Sequence, residues 1–506
     1  MENAQKKPSR FKKILRRLLF ALAAMVTLAV LVLAEENWRG ARAWKNYKRE
    51  MEAQGDQFDA TRLIPPKVLD NENFAMTPLF APIFSLPIDD PRQPFKSITK
   101  NSGYGSTTAA NLSTNINIDR YNVGNHPDHP PGFGFGMPED LAGWVSAMQH
   151  PENPGKAPFI KMNPAEAASL ILDKLKASEP FLSELKSEAA ARRYSRFNIP
   201  YDQWSLEGIP GFMEHLTICK WLTRFLVLHA ETEMTLGHTD EALNDFKVFF
   251  RLDDGIKDEP IVISQLVRMS TVALILGAVG EGLAEHRWSE EQLRVLQDRL
   301  QNTDLITSTK RALYGERDIC NNTTFNEGFK NFPRGWNRLE QVNVNRGFHD
   351  AVFPGINLEA REISPKVNRA IDSAWKGRRA RLGRALLHHD ILAIMLIPSY
   401  FAVPQKLAYA QSEVDFAMLA CALERYHLSQ GQYPDDLSAL VPRFAAVLPH
   451  DIINGQPLKY RRTENGRYMI YSVGWNEKDD GGVIATRADN HKVQDMEQGD
   501  WVWQYP

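Results

Sequence analysis

One stretch constrains this chain more than any other: LLFALAAMVTLAVLVLA, residues 18–34, bounded by Leu18 and Ala34 and free of charge throughout. At about 1.5 Å per helical residue it spans roughly 25 Å, the lower limit for crossing a bilayer. The residues before it carry Lys6, Lys7, Arg10, Lys12, Lys13, Arg16 and Arg17 against a single acid, Glu2. Basic flanks stay on the cytoplasmic side, so the run predicts a single-pass anchor in an inner membrane, with everything from Glu35 onward outside the cytoplasm. Val32 and Ala34 also fit a small-residue cleavage site, which leaves a removed signal peptide as the alternative. Against removal, the run is long for a signal core, and ENWRGARAWKNYKREMEAQ continues it as a helix without proline.

Composition removes several classes. The 506 residues carry 60 basic and 62 acidic side chains, a net charge of −2, so no overall positive field draws nucleic acid. Three cysteines, Cys219, Cys320 and Cys421, exclude a disulfide scaffold. Cys219 and Cys421 sit in apolar helical patterns and are expected as buried free thiols.

The predicted organisation is α+β. A basic tail (1–17), the anchor (18–34) and a juxtamembrane helix (35–56) lead into a Pro/Gly-rich region at 57–160, expected as irregular chain or a small β module. A mainly helical domain follows at 161–404. Asn163 before Pro164 opens a helix there. Another runs from about Phe212 to Leu236, with Gly237 as the residue after its end. Asp240 is read as the cap of EALNDFKVFFRL. This pair resembles one tetratricopeptide-type hairpin, although no second copy appears at a 34-residue period. The apolar stretch between Glu259 and Glu281 has Arg268 at its middle, and it is expected as a core helix rather than a second span. Ser289 and Gln292 form a capping-box pattern. The apolar run 391–403 contains Pro398 and is too short to cross a membrane.

The final hundred residues, 405–506, have the clearest pattern. A long helix from Leu407 carries Phe416, Leu419, Leu423 and Tyr426 on one stripe and stops at Gly431, with Pro434 beyond. Two alternating runs, PLKYRR and YMIYSVG, read as a β-hairpin. Trp501 and Trp503 are expected to cover a small sheet.

The order Gly431-Gln432-Tyr433-Pro434, Asp451, Gly455, Pro457 and Tyr471-Ser472-Val473-Gly474, followed by NEKDDGG, resembles the globular domain of the major pseudopilin of type II secretion. The resemblance covers about 100 residues. It implies a helix-plus-antiparallel-sheet fold and an acidic loop able to hold calcium, with Ser472, Asn476, Asp479 and Asp480 at the matching positions and Asp489 further on. The loop departs from the family pattern at Asn476, where Asp is usual, and at Glu477, which replaces a Gly. An acidic hairpin loop ordered by its glycines is the other reading. The anchor lies some 370 residues upstream without a prepilin cleavage motif, so polymerisation is not implied, and a shared fold is not a shared function.

Other clusters carry less. His126 and His129 flank Asp128 in a proline-stiffened loop, and His388-His389-Asp390 reads as a polar helix end. GFGFG at 132–136 lacks the strand–turn–helix setting of a phosphate loop. Asp89-Asp90 and Asp253-Asp254 read as adjacent surface acids. There is no Gly-x-Ser-x-Gly, no His-Glu-x-x-His and no Walker-type Gly-Lys-Ser/Thr. The expectation is a non-catalytic envelope protein that docks other envelope or secretion proteins. The alternative is an envelope hydrolase with its site built from residues 90–160 and 305–390.

Overall fold

The computed structural model describes residues 10–80, 139–150, 157–199, 201, 213–328, 332–379, 388–487 and 490–504. It is mostly helical, with small antiparallel sheets. Helix α1 (Arg10–Ala53) runs without a break through the apolar stretch and the residues after it. Three helical stretches are long and apolar enough to cross a membrane: Lys13–Ala53, Val262–Ala284 and Ile391–Gln430. They differ in surroundings. None of the first apolar window is buried by the protein, against 61% and 39% of the other two.

Helices α2 (Leu141–Gln149), α3 (Pro164–Leu175) and α4 (Glu179–Ala191) follow. The Asn163 side chain accepts from Ala165 N at the start of α3, with Pro164 in the first turn, as the sequence predicts. Helices α5 (Glu214–Thr235) and α6 (Thr239–Ile256) form the expected hairpin around Gly237, whose φ of +86° is left-handed. Asp240 is not the cap of α6: the helix begins one residue earlier, and Asp240 lies in its first turn, where a carboxylate favours the helix dipole. Helix α7 (Val262–Ala284) is the buried apolar stretch, and α8 (Glu290–Gln301) opens with both hydrogen bonds of the Ser289/Gln292 capping box. Then come α9 (Leu305–Ile319), α10 (Arg334–Gly347), α11 (Pro365–Arg379), α12 (Ile391–Leu396) and α13 (Val403–Gln430). Gly431 ends α13 with φ +73°.

The chain forms two compact units, each discontinuous in sequence. One holds Met1–Asp59, Arg317–Ala351 and Ser373–Ser399. Here α1 packs against α10 through two glycines. A Cβ on Gly335 would lie 2.2 Å from the Glu36 carbonyl oxygen, and one on Gly40 would lie 2.3 Å from that of Gly335. Gly335 N donates to Asn37 Oδ1 at 2.7 Å across the same crossing. Further along, Tyr47 and Met51 of α1 bury against Val342. Glu340 accepts from the amides of Ile391 and Leu392, each at 3.0 Å, and so caps α12. His389 is buried edge-on against Trp336, within reach of Glu36 and Arg39.

The other unit holds Ala60–Glu316, Val352–Asp372 and Tyr400–Pro506. Its central helix is α13, buried over most of its length between Val403 and Glu424. Strands β1 (Ile356–Asn357) and β2 (Glu362–Ile363) form one antiparallel pair, and β5 (Ile484–Arg487) and β6 (Asn490–Gly499) another. Helix α13 packs against α7, α8 and a three-stranded sheet of β3 (Lys459–Arg462), β4 (Tyr468–Ser472) and β7 (Trp501–Gln504). All pairs are antiparallel, in the order β3-β4-β7, with Tyr460 opposite Ile470 and Ile470 opposite Trp503. The predicted hairpin is β3–β4, and Trp501 and Trp503 are fully buried on the third strand. Trp288 packs on Phe246 and fills the space where a Cβ on Gly282 would stand, 2.3 Å from Nε1. All three cysteines are free, and Cys219 and Cys421 are buried.

Asp253-Asp254 are not the surface acids that their adjacency in the sequence suggests: Asp253 is buried at 2% exposure, held by Arg268 and Arg299, and Asp254 is half-buried. The pattern misleads because α6 is buried on both flanks at this point, so a polar pair faces inward to meet the cations of α7 and α8.

A candidate docking cleft on the helical hairpin

Helices α4, α6 and α8 enclose a cleft of about 500 Å³. Its apolar wall comes from Ala189, Val248, Phe250 and Val295, its polar wall from Lys186, Asn244, Lys247, Arg251, Asp254 and Arg299. Four cations thus stand against one carboxylate in a chain whose net charge is −2. Lys247 and Arg251 lie four residues apart on α6, one turn of the same face.

The four cations are held differently. Lys186 lies 3.0 Å from both Glu241 and Asp245, and Asp245 also binds His229 Nδ1 at 2.7 Å. Burial opposes the charge on His229, but the Asp245 hydrogen bond outweighs it and raises the imidazole above its ordinary range. Arg299 is clamped by Asp254 at 2.8 Å and Asp253 at 3.2 Å, with its guanidinium 5.1 Å over the Phe250 ring. Burial would raise Asp254, but Arg299 and Lys257 beside it hold it below the usual carboxylate range. These two cations are structural.

The other two are less firmly paired. Arg251 donates to the carbonyls of Ala189 and Arg193, each at 3.1 Å, and reaches Asp254 only at 4.0 Å. Lys247 is exposed and donates to Asn244 Oδ1 at 3.2 Å. The residues lining the cleft offer charge from Lys247 and Arg251 and apolar contact from Val248, Phe250 and Val295. Its chemistry suits a carboxylate flanked by apolar side chains.

The residues matched to the calcium loop are placed as follows. Ser472 is fully buried, and its Oγ donates to Asp451 Oδ1 at 2.8 Å. Asn476 donates to Asp480 Oδ2 at 2.8 Å. Asp479 pairs with Lys459 at 3.1 Å and accepts from Tyr471 OH at 3.2 Å, so a cation already neutralises it. Asp500, which the sequence does not single out, orders the loop by accepting from Asp480 N at 3.2 Å and Gly482 N at 2.6 Å. Asp489, His126, His129, Asp89-Asp90 and GFGFG lie outside the described residues, as does most of the 90–160 segment assigned to a hydrolase site.

The cleft cations come from helices whose contributing residues span 186 to 299, so no contiguous motif marks them. The one local signal is the Lys247/Arg251 spacing on the polar side of α6. No protein-family model, no characterised protein and no solved structure matches the chain.

Proposed function

We propose that this is a membrane-anchored docking protein of the cell envelope, held by residues 18–34, with the chain beyond Glu35 on the non-cytoplasmic side of an inner membrane. The cleft of α4, α6 and α8 takes an acidic, apolar-flanked segment of a partner protein. Two exposed or weakly paired cations beside an apolar wall carry this reading. The exposed N-terminal apolar window supports the anchor. The helix ending at Gly431, followed by the β3–β4 hairpin, supports the pseudopilin-like reading of the last hundred residues, and with it a partner among secretion-type envelope proteins.

The test uses the full-length protein in detergent micelles and fluorescent peptides that alternate Leu with Asp or Glu. Saturable binding is expected, at least about tenfold weaker for the Lys247→Glu/Arg251→Glu variant, the loss of roughly 1.4 kcal/mol of charge complementarity. Equal binding of a lysine-for-glutamate peptide, or indifference to the double substitution, overturns the docking cleft. A carboxy-terminal reporter active only in the cytoplasm overturns the topology.

A further inference from the structure

A second cluster lies in the same unit but shares no residue with the cleft. Glu424 and His427 stand one turn apart on one face near the end of α13. His286 comes from the turn after α7. Its φ of +53° is left-handed, and the turn is held by His286 N to Leu283 O at 3.1 Å and Arg287 N to Gly282 O at 2.9 Å. That conformation brings His286 Nδ1 to 2.6 Å from Glu424 Oε1. The two imidazoles stack, with centroids 5.1 Å apart and planes at 22°. One ligand atom from each of the three side chains lies within 4.8 Å of the other two.

Two details point beyond a simple ion pair. His427 Nδ1 is shielded from solvent and has no hydrogen-bond partner, an unusual state for a ring nitrogen that an acceptor or an ion would relieve. Tyr433, in the turn after Gly431, donates its hydroxyl to Glu424 Oε2 at 2.6 Å and stacks on His427 at 4.7 Å. It thereby fixes the carboxylate and leaves Oε1 to His286, the role that outer hydrogen-bond donors play around metal ligands.

We propose that His286, Glu424 and His427 bind a divalent zinc-type ion. Two imidazoles and one carboxylate form a donor set that zinc accepts at about 2.0–2.2 Å. The ion takes the place of the His286–Glu424 hydrogen bond, and the half-exposed His286 ring, at 45% side-chain exposure, can back away to admit it. Its open side leaves a fourth position for water. Bound there, the ion ties the end of α13 to the turn after α7.

The test strips the full-length protein in detergent with a chelator and titrates it with Zn²⁺ by calorimetry and with Co²⁺ by visible absorption. Saturation at one ion per chain is expected, with the strong absorption of low-coordinate Co²⁺. His286→Ala and His427→Ala should each weaken binding at least about tenfold, and Tyr433→Phe by about 10–100-fold through the outer shell. His286→Ala lies in an exposed turn and serves as the variant whose folding is least at risk, checked by its melting without metal. His238→Ala, an exposed histidine on the same unit, should change nothing. Failure to bind, binding that survives His286→Ala and His427→Ala, or a pale octahedral Co²⁺ spectrum each overturns the site. None of these outcomes bears on peptide binding at the α4–α6–α8 cleft.

Discussion

Arg268 and Asp253 face each other as a two-pronged ion pair, Nε to Oδ1 at 2.6 Å and Nη2 to Oδ2 at 3.1 Å, with both side chains almost wholly out of solvent. The pair suits the apolar helix α7 to the core: a charge that would be costly in lipid has its counter-ion one helix away. Removing Arg268 leaves the buried Asp253 carboxylate with Arg299 alone, at 3.2 Å. Arg268→Ala is expected to lower unfolding free energy by about 3–5 kcal/mol, and Arg268→Met with Asp253→Leu to restore most of it. Denaturant titration of the three proteins checks this, and equal losses in the single and double variants would contradict it.

Peptide binding at the cleft should depend on salt. The Debye length falls from about 10 Å at 0.1 M to about 3 Å at 1 M, which screens exposed Lys247 far more than apolar contacts with Val248 and Phe250. Affinity for the acidic peptide is expected to drop between those concentrations and then level off at the apolar remainder. Anisotropy titrations at four or five ionic strengths measure the slope.

Stability should fall as pH rises through neutrality. Burial pushes Glu413 on α13 up from the ordinary 4.5 to about 8, despite a hydrogen bond from Tyr409, and burial pushes Glu281 on α7 to about 8 as well. A carboxyl raised in the folded state holds its proton there while the unfolded chain has lost it. Its contribution is therefore full below about pH 4.5 and is lost as pH climbs towards 8. Both acids push the slope of stability against pH downward across that window. Glu413→Gln should flatten part of the slope and leave the Glu281 part. Melting temperatures from pH 5 to 9 test both the sign and the share.

Asp451 organises the β-rich end. Its carboxylate accepts from Ser472 Oγ at 2.8 Å and from the amides of Val473 and Ile453, both at 3.0 Å. Asp451→Ala strands three buried donors and is expected to cost about 3 kcal/mol. Ser472→Ala removes one of these donors and the acceptor of Gly474 N at 3.1 Å but leaves Asp451 its two amides, and should cost about 1–2 kcal/mol. Chemical denaturation followed by tryptophan fluorescence reports the order.

What the sequence disclosed follows the range of the forces involved. Asn163 with Pro164, Ser289 with Gln292, Gly237 and Gly431 act within one turn of a helix, and each stands where its pattern places it. The strands around Tyr460 and Ile470 were legible from alternation alone. Long-range pairing was not. Asp253 reads as a surface acid until α7 and α8 bring Arg268 and Arg299 to it. Lys186, Lys247 and Arg299 become neighbours only through helix packing. Glu424 and His427 keep helical spacing in the sequence, but their third partner, His286, lies 138 positions before Glu424.

The glycine contact between α1 and α10 has a mechanical consequence. With residues 18–34 in lipid, only about 9 Å of helix separates Ala34 from Gly40, where α1 meets Gly335 backbone to backbone. No proline or unwound residue interrupts that interval. In the proposed topology the anchor would act as a stiff lever: its tilt would set the angle at which α10 leans from the bilayer, and its depth the stand-off height of that helix above the lipid headgroups.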